Sequence, residues 1–147
     1  MPAEDPCQEL PITENTVVDD VATFLRTKGF RIERTCSTND RGTDLVAIFP
    51  PTGQRLFIEA KGGTSSKARS RRFGRPFTSG QAKSHVAVAL YYILRLRQRV
   101  LAAGNRVGLA FPDNENHRKL IAAIEGTLQG LDISVFFVDA DHKVRVQ

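Results

Sequence analysis

Three residues offer the most direct chemistry in this sequence. Asp44 opens an apolar run, Thr43–Phe49 (TDLVAIF), and Glu59 and Lys61 close a second, Gln54–Lys61 (QRLFIEAK). Pro50-Pro51-Thr52-Gly53 lies between them as a tight turn, so the runs read as two strands of an antiparallel hairpin. The start of one strand then lies against the end of the other, with Asp44 opposite Glu59 and Lys61. Residues two apart on a strand share a face, which separates Glu59 and Lys61 from Ala60. Two carboxylates and an ammonium converge at one end of an otherwise apolar sheet, where unpartnered charge is expensive. A carboxylate pair suits Mg²⁺, for which Mn²⁺ is a substitute, and the Ala60 carbonyl adds an oxygen ligand. Such an ion could hold a phosphate and acidify a bound water, while Lys61 positions that water or offsets charge at phosphorus. Glu-x-Lys on a strand is by itself a common surface ion pair worth little. The apolar setting and the facing Asp44 give it weight.

The charge distribution points the same way. The chain has 147 residues, 21 Lys+Arg against 16 Asp+Glu, and a formal net charge of +5. The segment from Lys61 to Lys83 contains Lys61, Lys67, Arg69, Arg71, Arg72, Arg75 and Lys83 and no acid. It carries +7 and leaves the remainder at −2. It is also rich in Gly, Ser and Thr, so residues 62–80 read as a basic loop. Cations with hydroxyl and amide donors are the composition that grips a phosphate backbone, and the expected partner is DNA. Lys67, Arg69, Arg71, Arg72, Arg75 and Lys83 are the candidate DNA contacts, joined by His85.

Ordinary elements must position these groups. Residues 1–11 read as a disordered or loosely attached tail, and residues 12–147 as one domain, a size that needs no disulfide or structural metal. Val17, Val18, Val21, Phe24 and Leu25 recur at helical spacing, stopped at Lys28-Gly29. Arg31–Cys36 alternates as a strand, followed by the two hairpin strands. A helix from about Gly80 to Ala103 is expected, capped by Thr78 or Ser79 and stopped at Gly104. Arg106–Phe111 is the next strand, Asn116–Leu128 an amphipathic helix, Ile133–Val138 a strand and Val144–Val146 a short last one. A helix between strands favours parallel pairing. The fold class is α/β, a mixed sheet in the order α-β-β-β-α-β-α-β with flanking helices.

Gly42-Thr43-Asp44 at one strand start and Glu59-Ala60-Lys61-Gly62 at the next strand's end resemble the PD-(D/E)XK nuclease superfamily. This is the restriction-endonuclease-like fold shared by Holliday-junction resolvases and virus-type replication–repair nucleases. The resemblance covers about Thr13 to Tyr92, with Thr43 standing where the motif has Pro. It implies that Asp44 and Glu59 bind Mg²⁺ and that Lys61 assists the attacking water. It also implies supporting roles for Glu14 on the first helix and Gln81 on the helix after the motif. The expected function is a metal-dependent endonuclease or exonuclease hydrolysing DNA. The alternatives are a non-catalytic nucleic-acid-binding module on the same fold, and an interaction subunit whose basic loop docks an acidic partner.

Other chemistry is disfavoured. No His/Cys spacing suits zinc. There is no Gly-x-x-x-x-Gly-Lys-Ser/Thr phosphate loop. Ser65, Ser66 and Ser70 lack a nucleophile elbow. Cys7 and Cys36 make no disulfide framework, so free thiols in a reducing cytoplasm are expected. No run of about 18 apolar residues exists, and Met1–Pro11 lacks a leader pattern. His85 lies one turn from Gln81 and could line the same groove. His117 and His142 read as isolated and exposed, Tyr91 and Tyr92 as core. A homodimer would allow symmetric cutting of two strands, although no exposed apolar stripe in the sequence demands one.

Overall fold

Thr13 begins the first element: its side chain accepts a hydrogen bond from the Thr16 backbone and caps helix α1, Glu14–Thr27. A computed structural model describes residues 11–36, 42–64 and 76–147. After α1 come β1 (Arg31–Thr35), β2 (Leu45–Phe49), β3 (Gln54–Ala60) and α2 (Ser79–Val100), which ends in a 3₁₀ turn, Leu101–Ala103. Then follow β4 (Arg106–Pro112), α3 (Glu115–Ala122), α4 (Glu125–Gly130), β5 (Ser134–Val138) and β6 (Val144–Val146). The six strands form one sheet in chain order. β1–β2, β2–β3 and β5–β6 pair antiparallel; β3–β4 and β4–β5, joined through helices, pair parallel. The mixed α/β sheet expected from the sequence is the one found.

Each face of the sheet has its own core. On one, Val17, Val21 and Leu25 of α1 pack against Leu45, Ala47, Leu56, Ile58 and Ala60. On the other, Val86, Ala89 and Ile93 of α2 pack with Val107, Leu109, Phe111 and Ile121, and Phe57 joins them. Strand alternation therefore sends Ala60 toward α1 and Glu59 toward α2.

Four readings are corrected in detail. At the site β2 starts two residues later, at Leu45 rather than Thr43, and β3 stops one residue earlier, at Ala60 rather than Lys61. The helix over Asn116–Leu128 is two helices, broken where Ile124 leaves helical geometry (φ −126°, ψ 12°). Ile121 and Leu128 are buried on both sides of this break, so their spacing did not reveal it. His117 is buried, not exposed, at 1% of its accessible surface. Tyr91 is 66% exposed, and Val88 and Leu94 beside it are also exposed, because α2 is covered on one side only.

Candidate active site

Asp44 sits just before β2 and is held at both ends. Its backbone carbonyl accepts from the Cys36 N–H at 2.8 Å, which ties it to the end of β1. Its Oδ2 accepts from the Ala60 N–H at 2.8 Å. The β2–β3 ladder stops at Leu45↔Ile58, and one step further along the same register brings Asp44 opposite Glu59. The aspartate side chain thus replaces a strand carbonyl, satisfying a backbone donor that would otherwise be orphaned. Next to it, Thr43 Oγ1 and the Tyr92 hydroxyl lie 3.0 Å apart and link this corner to α2.

Glu59 and Lys61 follow on the same face, with Lys61 Nζ 3.6 Å from Glu59 Oε1. Lys61 is anchored by its backbone, whose N–H donates to the Ala110 carbonyl at 3.0 Å and prolongs the parallel pairing with β4. Gly62 explains how Glu14 joins them. A Cβ on Gly62 would collide with the backbone nitrogen of Glu14 and the carbonyl carbon of Thr13. Only a residue without a side chain lets the chain leaving β3 touch the start of α1. The Gly63 N–H donates to the Ile12 carbonyl at 2.7 Å and locks that approach.

The electrostatics are those of crowded acids. Burial raises the Glu59 carboxyl to about 8; the Asp44 charge, the hydrogen bond to Asp44 and the more distant Glu14 reinforce this, while Lys61 opposes it. Burial also raises Asp44, against the pull of the Ala60 N–H, the Glu59 hydrogen bond and Lys61. Glu14 is raised by burial and by Asp44, again opposed by Lys61. Burial and crowding thus favour a proton on this carboxylate pair. A divalent cation would replace that proton, and two facing carboxylates suit Mg²⁺ or Mn²⁺. Among the described residues no three His, Cys, Asp or Glu side chains gather closely enough to cage an ion. Asp44 and Glu59 would give such a cation two carboxylates, and carbonyl, water and phosphate oxygens would have to complete its shell.

The remaining sequence candidates fall into two groups. Lys67, Arg69, Arg71, Arg72 and Arg75 lie outside the described residues, as do residues 1–10. The ends of the basic segment are described: the Phe77 N–H donates to the Gly63 carbonyl at 2.8 Å, so the segment departs and returns beside Lys61. Gln81 sits at the start of α2 in a capping box. Its backbone N–H donates to Thr78 Oγ1 at 3.2 Å and its Oε1 accepts from the Thr78 N–H at 2.9 Å. Lys83 is exposed on the next turn. His85 packs edge-on against Phe77, with ring centres 4.5 Å apart. Burial lowers its pKa, and the nearby Lys61 charge lowers it further.

One residue near the site was missed. His117 stacks on Phe111 with ring centres 5.3 Å apart, and its Nδ1 lies 2.8 Å from Asn114 Oδ1. Since Oδ1 can only accept, Nδ1 carries the hydrogen and Nε2 is an acceptor. Burial lowers the His117 pKa to about 4, with His85 adding to it. Nε2 of His117 and Nδ1 of His85 are both buried without a hydrogen-bond partner. The signal was the spacing Asn114-x-x-His117: Asn114 caps α3 by accepting from the His117 N–H.

Comparison with known proteins decides the family. The sequence model Mrr_cat, described as restriction endonuclease, matches residues 12–86. That stretch is half of the chain and contains Glu14, Asp44, Glu59, Lys61, Gln81 and His85.

The chain belongs to this restriction endonuclease family.

Two solved structures share the fold of this restriction endonuclease-like chain. An fdxN element excision controlling factor protein from Anabaena variabilis is 16% identical, with a TM-score of 0.54 and coverage of 89% of this chain and 96% of its own. An XisH family protein from Nostoc punctiforme is 14% identical, with a TM-score of 0.50 and coverage of 88% and 96%. No curated protein sequence matches the chain.

Proposed function

We propose that this chain is a metal-dependent nuclease hydrolysing phosphodiester bonds of DNA. The observation that carries the reading is the meeting of Asp44, Glu59 and Lys61 at the open end of the β2–β3 hairpin, with Asp44 fixed by the Ala60 N–H. Mg²⁺ or Mn²⁺, held by Asp44, Glu59 and the Ala60 carbonyl, would supply charge stabilisation at the phosphate and acidify the attacking water. Lys61 orients that water and offsets negative charge as the water's oxygen bonds to phosphorus, its proton passing to solvent, and the bond to the departing sugar oxygen breaks. That sugar oxygen leaves with a proton taken from solvent. Glu14 adds negative charge that Asp44 and Lys61 feel, without joining them as a third ion-caging carboxylate. The Oε1 of Gln81 is committed to capping α2, so only its amide can serve the site. His85, kept neutral, contacts the strand as a hydrogen-bonding group. Lys83 and the cations Lys67, Arg69, Arg71, Arg72 and Arg75 hold the phosphate backbone over an acidic cluster that would otherwise repel it.

The names of the two solved structures favour a second reading. One is an fdxN element excision controlling factor and the other an XisH family protein, which fits a non-catalytic, accessory nucleic-acid-binding module on the same fold. Diffraction from crystals soaked in Mn²⁺ separates the two. The nuclease reading expects anomalous density between Asp44 and Glu59 that vanishes in Asp44→Ala. No density at that position in the wild type would favour the accessory module.

A further inference from the structure

A cavity of about 440 Å³ opens one strand away from Asp44 and Glu59, at the carboxyl ends of β4 and β5. This volume lies within the roughly 300–1,000 Å³ of small-molecule pockets. The cavity shares its wall with the site: it is lined by Gly63, two residues beyond Lys61, and by Ile12, two residues before Glu14. We propose that it receives an unpaired nucleobase of the strand whose phosphate lies over Asp44, Glu59 and Lys61. The substrate is then single-stranded or locally opened at that nucleotide. This deepens the nuclease reading and rests on it.

The chemistry of the wall selects that ligand. Among the described residues no Lys or Arg lines the cavity, whereas Asp113 and Glu115 do, so the described wall is not built to hold a phosphate. Both acids already have cationic partners, Asp113 with Arg118 at 2.8 Å and Glu115 with Lys119 at 2.8 Å, so a ligand cation is not demanded either. A neutral ligand is left. Phe77, Pro76 and Pro112 offer flat apolar surface on which a heterocycle can lie. Asn114 and Asn116 add side-chain amides to the wall. A flat neutral ring with polar groups on its edge matches this wall.

The test uses the full chain without divalent metal, so that nothing is cut. Single-stranded oligonucleotides carry 2-aminopurine at successive positions, a base that brightens when it leaves the stack. Binding should brighten one position and leave its neighbours unchanged. Ala140 is half-buried at the cavity rim. Ala140→Trp, which plugs the mouth, should abolish the bright position and weaken binding about tenfold, the loss of one stacked base. Asn116→Ala removes an amide from the wall and should weaken any preference among the four bases at that position. A free mononucleotide should compete far more weakly than the oligonucleotide. Equal fluorescence at all positions, a bright position that survives Ala140→Trp, or equally tight mononucleotide binding would each overturn the proposal. Cleavage of intact duplex with no bright position would remove the cavity and leave the nuclease reading. A bright position with no cleavage under any metal would do the reverse.

Discussion

Asp44 accepts a hydrogen bond at 2.8 Å from the backbone N–H of Ala60, which lies between Glu59 and Lys61. A strand donor fixes one acid, and strand alternation aims the next residue, Glu59, at it. The site is therefore built by the hairpin itself, and its strain is electrostatic.

Removing that strain should stabilise the fold. The Glu59 carboxyl is raised to about 8 from the 4.5 of an unperturbed Glu. With the folded value above the unfolded one, its contribution is fully present below pH 4.5 and lost as pH rises toward 8. Glu59→Gln mimics the protonated acid. It should raise stability at pH 7.5 by about 1–2 kcal/mol, read from denaturant midpoints without metal. A loss of stability would show that Glu59 is a structural partner rather than a constrained ligand.

His117 should act with the opposite sign. Its folded pKa, about 4, lies below the ordinary 6.5, so the unfolded chain takes up the proton first as pH falls. Stability should drop between pH 6.5 and pH 4, by up to about 3 kcal/mol from this group. His117→Phe should flatten that part of the curve, because the ring can still stack on Phe111. An unchanged pH profile would refute the buried neutral imidazole.

Two glycines make a contrast. Gly62→Ala drives a methyl group into the backbone of Thr13 and Glu14 and should cost more than about 2 kcal/mol, with loss of the Glu14 position. Gly80→Ala meets nothing within 4 Å inside α2 and should gain about 0.5–1 kcal/mol. Thermal unfolding of both variants decides it, and equal effects would contradict the close approach at Gly62.

Salt dependence probes the basic segment. Replacing Arg69, Arg71, Arg72 and Arg75 by Gln should flatten the slope of log affinity against log salt by about 3–4 for duplex DNA, or slightly less for single strands. An unchanged slope would move the phosphate contacts elsewhere.

Much of this was legible because local signals and tertiary needs agreed. The hairpin, the parallel strands after α2 and the facing of Asp44 with Glu59 all follow from alternation and turn residues. The Gly62 contact was not legible, because it depends on where α1 meets the end of β3, across the whole hairpin. Gln81 was read for its place after the motif, yet Thr78-x-x-Gln81 also spells a capping box, and that is what its Oε1 does. His117 was read as exposed because its helix was started at Asn116; with Asn114 as the cap, its side chain turns onto Phe111. Tyr91 was read as core because an apolar pattern does not show that α2 is covered on one side alone.

The central claim is that Asp44, Glu59 and Lys61 form one hydrolytic site. It is tested most directly by Mg²⁺-dependent cleavage of a panel of single-stranded, duplex and junction DNAs by the wild type and by Asp44→Asn, Glu59→Gln and Lys61→Ala. Turnover by the wild type should stop when the metal is chelated, and each variant should lose at least about a hundredfold while DNA binding persists. Cleavage that survives all three substitutions, or a wild type that binds the panel and cuts none of it with any divalent metal, would contradict it.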